Sequence, residues 1–237
     1  MRSMAITANK PILIIGGGLM GLSIAHELAQ KGKCVEVLSR NRSEAAGFVA
    51  AGMLAPHSEG LQGDLLKLAL ISLKIIPKWI KEIENNSGLH CGLKKCGIIV
   101  PFLDNKARDE LPTARLGKYL NRYELEKEVP GLSKKWNTGI LFEQDGQIDN
   151  RRKLMRALEK ACVELGVQFQ EGVEVQGLIN EGGRFHGVSI INAQGERKVL
   201  QANQAVICSG AWSRQMLDEI PIFPVKGQLL SLQSPRN

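Results

Sequence analysis

Pro11-Ile12-Leu13-Ile14-Ile15 is a continuous apolar run rich in β-branched residues and predicts a strand buried on both faces. Three glycines follow. Leu22, Ala25, Leu28 and Ala29 then recur at helical spacing up to Gln30, with Gly32 as the stop. Cys34-Val35-Glu36-Val37-Leu38 reads as the next strand. From Asp64 to Glu84, Leu65, Leu66, Leu68, Ala69, Leu73, Ile76, Trp79, Ile80 and Ile83 fall on one broad face and Lys67, Lys74, Lys78 and Lys81 elsewhere, the pattern of a long amphipathic helix kinked at Pro77. Strands at 97–102 and 138–142 bracket a lysine- and arginine-rich middle section. Asp149 to Gly166 returns to helix, with Leu154, Ala157, Leu158, Ala161, Cys162 and Leu165 on one face and Asp149 or Asn150 as its cap. Short strands at Val167–Phe169, Val173–Ile179 and Phe185–Ile191 are separated by turn signals at 181–183 and 192–195. Ala205-Val206-Ile207-Cys208 is a further buried strand that delivers Ser209-Gly210-Ala211-Trp212-Ser213 at its carboxyl end, where open α/β sheets place ligands.

Within this pattern Gly16, Gly18 and Gly21 form G-x-G-x-x-G between a strand and a helix, the context that gives the motif meaning. Gly16 permits the tight turn, Gly18 lets backbone N–H groups approach a pyrophosphate, and Gly21 lets helix and strand pack closely. The helix start adds partial positive charge where phosphates sit. The acidic residue that ordinarily ends the second strand is missing, and Ser39-Arg40 stands there instead. Arg40 suits a 2′-phosphate, which points to NADP; Ser39 at a ribose with Arg40 beside an adenine points to FAD. The fingerprint leaves both open. Glu44 to Pro56 is dominated by Ala and Gly, which fits either a small-residue core helix or a backbone surface lying along a cofactor.

Composition narrows the class. The 237 residues carry 31 basic and 24 acidic side chains, a net +7, yet the Lys and Arg are spread along the chain and aromatics are only 5%, which argues against a nucleic-acid platform. Cys34, Cys91, Cys96, Cys162 and Cys208 are odd in number and lack metal-hook spacing, so free thiols in a reducing cytoplasm are expected. The uncharged run from Pro11 to Ala25 is too short for a membrane helix, and its glycines would break a signal helix. His26, His57, His90 and His186 lack metal-ligand spacing and no G-x-S-x-G elbow occurs, so no catalytic side chain and no metal is assigned. A bound redox cofactor would carry the chemistry without a protein nucleophile.

Ile14-Ile15-Gly16-Gly17-Gly18-Leu19-Met20-Gly21, Ala50-Ala51-Gly52-Met53-Leu54-Ala55-Pro56, Ser209-Gly210-Ala211-Trp212-Ser213 and Pro224-Val225-Lys226-Gly227-Gln228 together resemble the FAD-dependent D-amino-acid oxidase family, most of all its glycine oxidase branch, which serves thiamine biosynthesis. Gly146-Gln147-Ile148-Asp149-Asn150-Arg151-Arg152 and the Ser39-Arg40 strand end resemble the cyanobacterial type. The resemblance implies an α/β fold: a Rossmann-like, glutathione-reductase-like FAD-binding domain over 10–57 and 146–218, interleaved with a partial α+β substrate domain over 58–145 and 219–237. It implies FAD contacts at Leu19 and Met20, at Ser39 and Arg40 by ribose and adenine, at Ala46, Gly47, Ala51, Gly52 and Met53 along pyrophosphate and flavin, and at the Val173 backbone by the adenine. Ser209 and Gly210 join Gly16, Gly18 and Gly21 as expected cofactor-binding positions. The family's chemistry is hydride transfer from an amine-bearing carbon to the flavin, with oxygen reoxidising it to give hydrogen peroxide. The implied partners are a small amino acid and oxygen, with neither nucleic acid nor membrane, and a homo-oligomer stays open. Family members continue past the Pro-Val-Lys-Gly-Gln strand, so the chain is expected to be a fragment or truncated product that lacks the arginine pairing with the substrate carboxylate, binds FAD weakly and turns over little or nothing.

Overall fold

The apolar run that opens the chain becomes β1 (Ile12–Ile15), and the spacing after the glycines becomes α1 (Leu19–Gln30), followed by β2 (Val35–Ser39). The computed structural model describes residues 10–148 and 151–230; the expected caps Asp149 and Asn150 and the run 231–237 lie outside the described residues. The chain divides into two compact units interleaved in sequence, one of residues 1–50, 86–89 and 155–237, the other of 51–85 and 90–154. Its main changeovers fall at 50/51 and 154/155, whereas the sequence reading set limits at 57/58, 145/146 and 218/219.

In the first unit, α5 (Arg151–Glu164) leads into β9 (Gln168–Glu171), then β10 (Glu174–Glu181), β11 (Arg184–Ile191), β12 (Arg197–Gln201) and β13 (Ala205–Ile207). A parallel sheet runs in the order β13-β1-β2-β9, with Ile14 paired to both Val206 and Val37. Alternation decides what each face meets. Leu13, Ile15 and Leu38 turn to one side and pack with Val173, Val188, Ile190 and Ala202 beneath the antiparallel β10-β11-β12 sheet. Ile14 faces α1, so close that a Cβ on Gly21 would stand 3.2 Å from its Cγ2. The Cys162 thiol of α5 donates to the Leu22 carbonyl of α1 at 3.4 Å, which ties the two helices on that side. A parallel sheet covered on both faces explains why β1 is apolar at every position.

The second unit holds two small antiparallel sheets and the helices around them. One sheet has the order β3-β8-β4, built from β3 (Met53–Leu54), β4 (Leu93–Lys94) and β8 (Gly146–Ile148). The other has the order β5-β7-β6, from β5 (Ile98–Phe102), β6 (Lys118–Asn121) and β7 (Thr138–Phe142). Ala114, Ile140 and Phe142 form its buried cluster, with Val100, Phe102 and Leu111 packed against them. Between strands lie α3 (Asn105–Asp109) and α4 (Arg122–Glu128); α4 starts on a reciprocal capping box, Asn121 accepting from the Glu124 amide while Glu124 accepts from the Asn121 amide.

Two expectations change, one open alternative closes and two elements appear that were not read. Glu44–Pro56 is not a helix: 3₁₀ turns at Arg42–Glu44 and Ala46–Phe48 give way to Gly52 at φ +82° and then β3. The long helix, α2 (Gly63–Ser87), forms and carries Pro77 inside it, but its expected face is unevenly covered: Ile80 and Ile83 are buried, Leu66, Ala69, Leu73 and Ile76 half-buried, and Leu65 and Leu68 60% and 63% exposed. The periodicity marked the face correctly; whether anything covers it is a tertiary matter. The Pro224–Gln228 strand is absent, and 221–230 is irregular and exposed among the described residues, for a strand needs a partner to pair with. Strand β12 and helix α4 were not read from the sequence.

Candidate functional site

At the carboxyl end of β1 the chain turns on Gly16, which has φ +115° and donates its amide to the Leu38 carbonyl at 2.9 Å. A Cβ there would stand 2.4 Å from the Cys208 oxygen. Gly21 is under the same constraint, its Cβ falling 1.8 Å from the Gly16 oxygen, so the β1–α1 turn closes only with glycine at both positions. Gly18 differs. It is the N-cap of α1 in an extended conformation, makes no side-chain cap, and a Cβ there would meet nothing closer than ordinary contact with Ala45 Cβ at 3.8 Å. Among the described residues the amides of Gly17, Gly18, Leu19 and Met20 donate to nothing. A row of unsatisfied N–H groups at a helix start is the arrangement that takes a phosphate. The residues therefore fit a dinucleotide's pyrophosphate.

Around that turn the first unit gathers most of the expected positions. Ser39 ends β2 beside it, its Cβ 3.2 Å from where a Gly17 Cβ would be. The Val173 amide donates to the Ser39 carbonyl at 3.0 Å, which holds Val173 beside the end of β2. Arg40 is exposed and stands over the Trp212 ring, 5.7 Å from its centre. Ala46 and Gly47 occupy the 3₁₀ turn next to Ala45, and a Cβ on Gly47 would meet the Met155 sulfur at 2.6 Å. Ser209 and Gly210 (φ +56°) follow β13 directly, with Ser209 Oγ 3.2 Å from Ser213 Oγ. Leu19 and Met20 keep exposed side chains, so only their backbone faces the turn.

Ala51, Gly52 and Met53 belong to the second unit. There the Ile148 amide donates to the Gly52 carbonyl at 2.7 Å, Met53 pairs with Gln147, and the Met53 side chain is half exposed.

One residue escaped the sequence reading. Arg42 lays its stem across the glycine turn: a Cβ on Gly17 would come within 2.5 Å of Arg42 Cγ, which accounts for the middle glycine, a position the fingerprint leaves free. Arg42 Nε pairs with Glu171 at 2.7 Å, its own amide donates to the same carboxylate, and its guanidinium lies over Phe169 at 4.3 Å. Nη1 is 2.9 Å from Glu159, a charge contact off the line of a hydrogen bond, since that nitrogen finds no aligned acceptor. The signal in the sequence was the surplus glycine; its cause lies 25 residues along the chain and on two other elements.

No side chain here competes for the role of nucleophile. Burial pushes the Cys208 thiol up, so at neutral pH it stays protonated behind the glycine turn. Among the described residues no group of His, Cys, Asp or Glu could hold a metal ion, and no helix is long and apolar enough to cross a membrane.

The FAD dependent oxidoreductase pattern, DAO, matches residues 11–237. The chain belongs to that family. It is 38% identical over 227 residues to the bifunctional protein ThiO/ThiG of Synechocystis sp., a match that covers 94% of this chain and 33% of that protein. It is 30% identical to a glycine oxidase of Bacillus licheniformis, over 93% of this chain and 60% of the relative. The crystal structure of glycine oxidase from Geobacillus kaustophilus superposes with a TM-score of 0.77 at 26% identity, covering 88% of this chain and 57% of that one. The chain thus spans about a third of the ThiO/ThiG relative and about 60% of the glycine oxidase it matches. The fold expectation holds: the first unit is the Rossmann-like half of an FAD-binding family. The cofactor choice that Ser39 and Arg40 left open falls to FAD.

Proposed function

We propose that this chain carries the FAD-holding part of an amine oxidase of glycine oxidase type, taking a small amino acid and oxygen. The observation that carries the reading is the row of unsatisfied amides from Gly17 to Met20 around the Gly18 N-cap. The amides and the α1 dipole would take the pyrophosphate, Ser39 and the Val173 carbonyl the ribose and adenine, and Arg40 the adenine flank. Ser209 and Gly210 would close the far side of the turn. Sequence resemblance assigns Ala46, Gly47, Ala51, Gly52 and Met53 to the pyrophosphate and flavin. Bound FAD would supply the acceptor for the hydride leaving the amine-bearing carbon, with oxygen carried to hydrogen peroxide. The chain's own residues then bind and orient, and no general base is asked of them. The likeness to the ThiO/ThiG protein supports a product that feeds thiazole formation for thiamine.

The test is a titration of purified protein with FAD, followed anaerobically. The expected result is a weak, blue-absorbing complex that ADP displaces. A protein that takes up no FAD, or a bound flavin bleached by NADPH, overturns the reading.

A further inference from the structure

The second unit buries a hydrogen-bonded carboxylate–imidazole pair that nothing above uses. Asp145, fully buried, precedes β8, and its carboxylate accepts from three donors: the His57 ring Nδ1 at 2.6 Å, the Ser58 amide at 2.8 Å and, more loosely, the His57 amide at 3.4 Å. The His57 ring stacks on Phe142 with centroids 6.1 Å apart and planes 14° from parallel, and the Thr113 hydroxyl donates to the His57 carbonyl. Asp145 is fixed in turn through its backbone, its amide donating to Phe142 and its carbonyl accepting from Gly97 at 3.0 Å.

What this grip holds is a very short ladder. β3 is two residues long and pairs with β8 at Met53–Gln147 and Leu54–Gly146, with one further bond from Ile148 to Gly52. So few ladder bonds are marginal in water, and a slip of one residue would turn Met53 to the opposite face. Asp145 sits immediately before β8, and His57 and Ser58 follow shortly after β3, so the carboxylate clamps the open end of the pair. A buried carboxylate stripped of its donors is left with unsatisfied acceptors, so Asp145 penalises any slip that removes them.

We propose that Asp145 and His57, backed by Thr113, are positioning residues that hold the Ala51–Met53 backbone in register on β8 for contact with the flavin half of FAD. This rests on the FAD reading above and adds to it which buried side chains set the flavin-facing segment.

The experiment compares FAD and ADP binding to the wild-type chain and to Asp145→Asn, with visible circular dichroism of the bound flavin. ADP carries the adenine half alone and reports on the glycine turn. The expected result is FAD affinity lowered by about tenfold in Asp145→Asn, ADP affinity unchanged, and a weakened flavin dichroism band. A folded Asp145→Asn that binds FAD as wild type does, or that loses FAD and ADP in equal proportion, overturns the proposal. Should Asp145→Asn show no cooperative unfolding, His57→Gln, which keeps the Ser58–Asp145 bond, and Thr113→Val are read by the same criteria. Wild type that binds neither nucleotide sinks the FAD reading itself. Wild type that binds both with equal affinity leaves that reading standing for the adenine half and removes the flavin contact this pair would hold.

Discussion

Gly18 allows two quantities that usually fall together to be separated. Its extended backbone is what an N-cap requires, and serine there could cap the α1 amides that are now unsatisfied. Gly18→Ser should therefore leave stability unchanged or raise it by up to about 1 kcal/mol, while the hydroxyl occupies the space a phosphate needs and nucleotide binding is lost. Urea unfolding and FAD titration of one preparation check both halves. Gly16→Ala should do the reverse in stability, costing about 1–3 kcal/mol for its positive φ and the clash with the Cys208 oxygen. Gly17 is coupled to a distant residue. Gly17→Ala should destabilise in the wild-type background and much less beside Arg42→Ala, a coupling of about 1 kcal/mol in a double-mutant cycle. Gly16, Gly18 and Gly21 were legible because their reason is local. The reason for Gly17 was not, because the arginine stem that forbids a side chain arrives through β2, β9 and α5.

At the scale of elements, periodicity identified β1, α1, β2, β5, β7, α5, β10, β11 and β13 because each buries a continuous stripe or both faces. Strand β12 was hidden by its charge: Arg197 and Lys198 are exposed on an edge strand of its sheet, so no apolar alternation marks it. Helix α4 is short and charged, yet its Asn121–Glu124 capping box is a sequence signal that went unread. In α2, pattern and burial part company. Ile80→Ala should cost about 2–5 kcal/mol, as buried large-to-small changes do, whereas Leu68→Ala, at 63% exposure, should stay within about 0.5 kcal/mol. Equal losses in urea melts of the two variants would show that the exposed stripe is covered in solution.

For the whole molecule, the thiols offer a reading of folding and of pH together. Burial pushes Cys91 and Cys162 up to about 12, each with a neighbouring glutamate adding to the effect, while Cys34 and Cys96 are exposed. Iodoacetamide should label Cys34 and Cys96 in the native protein and reach Cys91 and Cys162 only on unfolding, as mass spectrometry would show. The sign of the pH effect follows. A thiol that ionises near pH 9 when unfolded and near 12 when folded leaves stability intact below pH 9, then removes it as pH rises through that window, because only the unfolded chain gains by losing the proton. Replacing Cys162 with Ala should flatten the decline in urea melts taken between about pH 8 and pH 11, lysine titration being common to both proteins.

The sequence by itself determined the strand–glycine–helix unit, the free Gly18 position and the apolar stripes, because each depends on residues within a few turns of one another. It also carried the motifs that place the chain in its family. Only the tertiary structure decided why Gly17 is glycine, that Leu65 and Leu68 of α2 stay exposed, and that Asp145 meets His57 across 88 residues of chain. Burial and pairing are properties of which surfaces meet, and a linear pattern records which face a residue occupies without recording what comes to rest against it.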